Sequence, residues 1–325
     1  MTMLDDLPES VTGLMRSGSI ANYVTVSKPG MPIDTPVLYF PADDLSSLNL
    51  TTGLSYPAKA ERARRNPRVG LLLAGGPDEA VISIAGMAAV RDADLQSNVL
   101  RYLAEASYTL PHDPDWELAR QAVWYWTRMI VEIAPARIDW WDNPASMDRA
   151  PHHWEAPGGT VFPASDAAPP GKSSSPAKWQ ERDWRDLADQ AVKRSVPGQL
   201  SLIDKEGFPR PIGASGIKIT ASGFAMNLPR GLPWPVAGNA CLTFGGIETF
   251  LGTAAGANGS AELNVERTLP VFPMTQDMTQ LWLPTDHTRA ELMRRLEVEL
   301  QRRGQPLPLI PIDRPEPSEA LRYPP

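Results

Sequence analysis

The chain has 325 residues, with 31 Lys and Arg against 38 Asp and Glu, a formal net charge of -7 and a sequence pI of about 5.2. This acidity excludes a general polyanion-binding surface, so nucleic acid is not an expected partner. A lone cysteine, Cys241, excludes intrachain disulfides and thiolate metal clusters and points to a reducing compartment. The acidic opening MTMLDDLPES carries no secretory signal, and no run approaches the ~20 apolar residues that span a bilayer. The expectation is a soluble cytoplasmic protein, long enough for two domains, with no membrane partner.

In chain order, a first helix fits Leu7 to Met15. Tyr23 to Val26 reads as a strand, Lys28-Pro29-Gly30 as a turn and Met31 to Phe40 as the returning strand. Leu48 to Thr52 is a third strand. A short basic helix follows, opened by Pro57, carrying Lys59, Arg62, Arg64 and Arg65, and stopped by Asn66-Pro67. Val69 to Leu73 and Ala80 to Val90 are strands separated by Gly75-Gly76. Asp94 to Ala106 and Trp116 to Trp126 read as helices, and Met129 to Ile138 as a strand. These elements define a first unit over residues 1–142.

Residues 143–180 are rich in Pro, Ala, Ser and Gly and read as a linker, with an ordered part around Trp154. Beyond it, residues 181–325 repeat the opening pattern. An amphipathic helix spans Trp184 to Val192, a strand runs from Gln199 to Asp204, and Gly207-Phe208-Pro209 matches Gly30-Met31-Pro32. Arg210 to Lys218 is the returning strand, and Phe250 to Ala255 echoes Ile84 to Ala89. The basic helix has no counterpart. Leu228 to Pro235 stands in its place, and Pro229, Pro233 and Pro235 argue against a helix there. A last helix, about Thr288 to Arg303, ends at Gly304. The fold class expected is mainly β with flanking helices (α+β): tandem split β-barrels forming a pseudo-dimer.

The segment Leu48 to Leu73 carries the chemistry. Lys59 and Arg62 are three residues apart and share a helix face. The unpaired first-turn amides and the helix dipole favour an anion at the same end. A small phosphate suits such a site better than a polymer; the alternative is an ordinary solvated basic face. Thr51 and Thr52 precede a glycine turn and read equally as strand residues or as ligand contacts.

The ordered motifs Gly-x-Pro, Thr35-Pro36-Val37, Leu-x-Leu-Thr-Thr-Gly, Lys59-Ala60, Arg65-Asn66-Pro67-Arg68-Val69 and Ile84-Ala85-Gly86-Met87-Ala88-Ala89-Val90 resemble the pyridoxamine 5'-phosphate oxidase-like superfamily of FMN-binding split β-barrels. The resemblance covers residues 20–140 and is fainter over 195–275. It implies that Lys59 holds the FMN phosphate, that Thr35, Pro36 and Val37 run beside the isoalloxazine, and that Thr51 and Thr52 lie near the phosphate and ribityl chain. Arg62 and Arg64 are further phosphate candidates. It also implies a flavin between two barrels, here supplied by one chain. Departures from pyridoxamine phosphate oxidase proper, including Ile33-Asp34 where a cation is expected, argue against vitamin B6 oxidation.

Competing signals fall away. His152-His153 lacks a completing acid or cysteine cluster, so no metal site is expected. Gly171-Lys172-Ser173 has Asp166 where a phosphate loop needs its first glycine, and no Gly-x-Ser-x-Gly elbow occurs. Trp140, Trp141 and Trp234 read as core or as pocket walls. The functional expectation is an FMN-dependent oxidoreductase acting on a small organic molecule. The alternatives are a deazaflavin (F420)-dependent reductase and a non-catalytic flavin or haem binder. One cofactor or two per chain, and a further homodimer, stay open.

Overall fold

The computed structural model describes residues 6–106, 115–174, 182–270 and 283–314. The end of the expected linker and the last residues of the proline-rich tail lie outside the described residues. Helix α1 (Glu9–Arg16) leads into β1 (Ile20–Val26) and β2 (Pro32–Pro41), joined through Gly30 at φ +82°, a conformation that glycine adopts without steric cost. Then come β3 (Leu48–Gly53), α2 (Ala58–Arg65), β4 (Arg68–Ala74), β5 (Val81–Arg91), α3 (Leu95–Ala106), α4 (Trp116–Ala119), α5 (Val123–Trp126) and β6 (Arg128–Trp141). The antiparallel order β3-β2-β1-β4-β5-β6 closes on itself through β3–β6 pairing, so the first sheet is a six-stranded barrel. Closure leaves its inward side chains, among them Tyr23, Tyr39, Leu50, Leu71, Ile84 and Val131, fully packed.

Two local expectations change. The single helix over Trp116 to Trp126 is broken, because Ala122 leaves helical geometry (φ -76°, ψ 56°). The break turns Trp126 inward, where its indole N–H donates to the Ala119 carbonyl (2.7 Å). The linker is also less bare than its composition suggests. A 3₁₀ turn at Pro144–Asp148 and a strand, β7 (His152–Glu155), follow β6, and β7 pairs onto its far edge. Backbone hydrogen bonding decides this, with help from a 2.7 Å contact between His153 Nδ1 and the Asp139 carboxylate.

The second half forms α6 (Trp184–Lys193), β8 (Gly198–Ile203), β9 (Pro209–Ile219), β10 (Gly223–Asn227), β11 (Ala237–Phe244), β12 (Glu248–Ala257) and β13 (Ser260–Thr268). Its strands close in the order β10-β9-β8-β11-β12-β13, the same permutation as the first barrel. Gly207, at φ +84°, repeats the role of Gly30. Between β10 and β11 the chain runs as an irregular segment where the first barrel has α2. The last described helix, α7 (Asp286–Arg303), is capped by Thr285 and ended by left-handed Gly304. It follows the second barrel in sequence but packs into the first, with Leu292, Leu296 and Leu300 joining that barrel's core cluster.

The barrels meet reciprocally. β4 packs on β9 while β11 packs on β2, and β1 meets β9 while β8 meets β2. The contact therefore has the form of a pseudo-two-fold interface within one chain. Both hairpin turns dock on the opposite barrel: Asn239 donates its amide to the Gly30 carbonyl (3.1 Å), and Arg68 lies against Gly207. A buried polar contact sits at the centre. The Asp34 carboxylate accepts from Asn22 (3.1 Å) in its own barrel and from Ser201 (2.8 Å) in the other. Burial, only partly offset by these donors, pushes the Asp34 carboxyl up to about 6.

Two outcomes are expected. A Cβ at Gly70 would collide with the Pro209 carbonyl across the interface, against rigid backbone. Gly70→Ala is therefore expected to cost about 1–3 kcal/mol in a denaturant titration. Asp34 binds its proton more tightly in the folded state than in the unfolded chain, so its contribution to stability falls as pH rises from about 4 to about 6. Asp34→Asn should flatten that part of the stability–pH curve, measured by thermal unfolding; an unchanged slope would assign it elsewhere.

Candidate functional site

Helix α2 begins after Pro57 and ends where Asn66 turns extended ahead of Pro67. Upstream, the Thr52 hydroxyl donates to the Tyr56 carbonyl (3.2 Å) and closes the turn that launches the helix. At 3.6 residues per turn, Ala60 and Ala63 form the stripe buried on the barrel. Lys59 and Arg62 fall on one flank of that stripe, and Glu61 and Arg64 on the other. The two flanks have opposite electrostatic character.

On the first flank, Arg62 donates from Nε to the Thr25 hydroxyl (2.7 Å), and burial pushes its guanidinium down to about 10. It lies within electrostatic reach of Tyr23 on β1 and of Cys241 in the second barrel, so this flank faces the junction of the two barrels. Lys59 is half-buried and keeps some contact with solvent. Dense surroundings, followed by repulsion from Arg62 and Arg128, push its amine down to about 8. Arg128 comes from the start of β6, where strand pairing sets it opposite Gly53. Its guanidinium lies 4.2 Å from the ring centres of both Tyr102 and Tyr125, and its Nη1 donates to the Thr51 hydroxyl (3.3 Å). The Arg128 Nε–H is buried without a partner. Among the described residues, no carboxylate pairs with Lys59, Arg62 or Arg128.

On the second flank every charge is matched. Arg64 pairs with Asp92 (2.7 Å) and donates to the Asp166 carbonyl, and Glu61 accepts from Arg302 (3.3 Å).

The sequence-derived candidates are thus distributed unevenly. Lys59, Arg62 and Thr51 converge with Arg128. Thr52 is engaged in the turn, and Arg64 is turned away into an ion pair. Thr35 pairs with Tyr23 in the β1–β2 ladder, one strand from Arg62's neighbourhood. Pro36 contacts Gly246 of the second barrel, and Val37 is buried in the first core. Sequence reasoning missed Arg128, Thr25 and the Tyr102–Tyr125 pair. Arg128 follows a run of aromatic residues and reaches the crevice only because β3 and β6 close the barrel. Helical phase was the available signal for Arg64, since it lies about 140° from Lys59 on the α2 wheel.

Chemically, Lys59 within electrostatic reach of Arg62 and Arg128, with no described carboxylate pairing them, is an arrangement that suits a compact polyanion. Burial first, and repulsion from Arg62 and Arg128 second, lower the Lys59 amine, and a nearby negative charge would favour its ammonium form. Buried Arg128 Nε–H is a donor awaiting an acceptor. These residues fit a phosphate ester. Among the described residues no cluster of His, Cys, Asp and Glu fits a metal ion, and no helix is long and apolar enough to cross a membrane.

No protein-family model matches the chain, and no curated protein matches it. Solved structures do. A pyridoxamine 5'-phosphate oxidase-related, FMN-binding protein from Nostoc punctiforme is 12% identical, covers 42% of this chain and 85% of its own, and has a TM-score of 0.32. General Stress Protein 26 from Bacillus anthracis is 20% identical over 45% of this chain and 96% of its own, with a TM-score of 0.32. An F420 reductase is 18% identical over 41% of this chain and 98% of its own, again with a TM-score of 0.32. Each of these proteins corresponds in length to less than half of this chain. The chain is thus similar over part of its length to pyridoxamine 5'-phosphate oxidase-like FMN-binding proteins, and its own strand order is that of two barrels in tandem.

Proposed function

We propose that the chain binds FMN with its phosphate between Lys59, Arg62 and Arg128, and that it is an FMN-dependent oxidoreductase acting on a small organic substrate. The observation that supports this reading is the crevice of three cations with no carboxylate among its described neighbours. A phosphate dianion accepts from all three side chains and from Thr51, and cancels most of their repulsion. When bound, the flavin supplies the redox chemistry. The chain supplies binding, orientation and the electrostatic environment. Lys59 and Arg62 act as the anchoring cations on α2. Arg128, its guanidinium 4.2 Å from the ring centres of two mutually tilted tyrosines, offers a planar donor. Thr35, Pro36 and Val37 border the ring from β2, and Thr52 and Arg64 hold α2 in place behind the site. The mixed-barrel neighbourhood of Arg62, within electrostatic reach of Cys241, supports a cofactor at the junction of the two halves.

Three measurements test this. Purified protein is expected to carry or take up FMN, identified by absorption and by mass spectrometry of the ligand released on denaturation. A deazaflavin or a Soret band would replace FMN with one of the other two readings. Lys59→Met removes one charge-assisted contact worth about 1.5–3 kcal/mol, so FMN affinity should fall roughly ten- to hundredfold. Equal affinity in this variant would remove the phosphate from this crevice. Finally, the free Lys59 amine loses its proton around pH 8, whereas a bound phosphate favours the ammonium. Binding above pH 8 is therefore expected to take up a proton. Calorimetry in buffers of different ionisation enthalpy reads this directly, and Lys59→Met should abolish it.

A further inference from the structure

The matched flank of α2 belongs to a buried ion-pair cluster assembled from four distant parts of the chain. Arg303 on α7 donates from Nε to Asp92 (2.9 Å) and from Nη1 to Glu299 (2.5 Å), and its Nη2 lies 3.5 Å from Glu61 on α2. Arg302 pairs with the same Glu299 (2.5 Å) and with Glu61 (3.3 Å). Arg64 completes the ring on Asp92 (2.7 Å). Glu299 also accepts from the Ser174 backbone N–H, and Arg302 donates to the Pro170 carbonyl (3.0 Å), so the inter-barrel connection is fastened into the same cluster. The side chains of Glu299, Arg303 and Asp92 are 0%, 2% and 3% exposed.

Three cations (Arg64, Arg302, Arg303) meet three carboxylates (Glu61, Asp92, Glu299), so the cluster is neutral. The Lys59 flank is not. Leu292, Leu296 and Leu300 already hold α7 on the barrel. Apolar packing fixes how far apart two elements sit, but it is tolerant of rotation; beneath α2 it comes from two alanines, with Arg62 and Arg65 donating to Thr25 and Val26 of β1. Forked guanidinium–carboxylate bonds are directional and specify one rotation of α2 about its axis. Lys59 and Arg62, one flank away on the same helix, turn with it.

We propose that the α7 cluster is the positioning device of the anion site: Glu299, Arg302 and Arg303 grip Glu61 and thereby aim Lys59 and Arg62 into their crevice. This rests on the reading of that crevice as a phosphate site. The C-terminal helix then has a role in ligand affinity although it contributes no contact to the ligand. Glu61 and Glu299 are positioning residues in this scheme.

The test compares Glu61→Gln and Glu299→Gln with Leu296→Val, a change on the apolar face of α7. Glu61 is partly exposed, so Glu61→Gln is the variant least able to unfold the protein. Thermal unfolding is read alongside titrations with FMN and, separately, with inorganic phosphate. Both Gln variants are expected to bind each probe about tenfold more weakly, the size of coupling seen for residues that touch no ligand. Leu296→Val should lower the melting temperature and leave affinity unchanged. The pH above which phosphate affinity begins to fall, expected near 8 in the native protein, should move toward the ordinary lysine range in Glu61→Gln as the amine leaves its crowded surroundings, and stay put in Leu296→Val. Native affinity and an unmoved pH profile in folded Glu61→Gln would overturn the inference. A protein that takes up phosphate in a Lys59-dependent way but not FMN would retire the flavin reading alone, and the phosphate titrations would still decide the positioning role. A protein that binds neither probe overturns both.

Discussion

Everything distinctive about this molecule turns on unequal charge compensation across one short helix. Helix α2 carries Lys59, Arg62, Arg64 and Arg65 against a single acid, Glu61. Tertiary structure matches one side, Arg64 with Asp92 and Glu61 with Arg302 and Arg303, and leaves the other side near Arg128. Buried charges that repel one another cost free energy unless something offsets them. The architecture concentrates that cost at one crevice beside the barrel junction and removes it elsewhere, which is how a site is distinguished from a basic surface.

The tandem barrel makes this asymmetry possible. In a pair of identical subunits, both copies of a site are built alike. Here the same strand permutation occurs twice, but the segment between the third and fourth strands of each barrel has diverged. In the first it is a helix with cations. In the second it is a proline-rich stretch whose Trp234 is buried against Trp141 and under the Arg210 guanidinium. Arg210, from β9, pairs with Asp139 of the first barrel, and Arg137 pairs with Asp204 of the second. The pseudo-symmetric location is a pocket lined by Arg137, Asp139, Asp204 and Trp234, whose charges pair with one another. The interface that unites the halves has become two different environments, one with its charges matched and one with cations that no described carboxylate pairs.

The sequence alone determined the repeated Gly-x-Pro hairpins, the strand periodicity, the presence of a basic helix before Asn66-Pro67 and the loss of its counterpart, because these depend on local backbone chemistry and turn residues. It marked Lys59, Arg62 and Thr51 for the same reason, since helical spacing and a pre-turn position are local properties. It did not separate Arg64 from Arg62, which requires knowing which flank of α2 meets acids. It did not find β7, whose strand character comes from pairing with β6 rather than from its own composition, nor the break at Ala122, which follows from burying Trp126.

Only the tertiary structure decided which charges are matched. Arg128 approaches α2 because β3 and β6 close the barrel, Asp92 meets Arg64 from the end of β5, and Arg302 and Arg303 reach Glu61 because the chain returns from the second barrel to the first. Charge is written in the sequence residue by residue, but its compensation depends on distance and burial, and those exist only once the chain is folded.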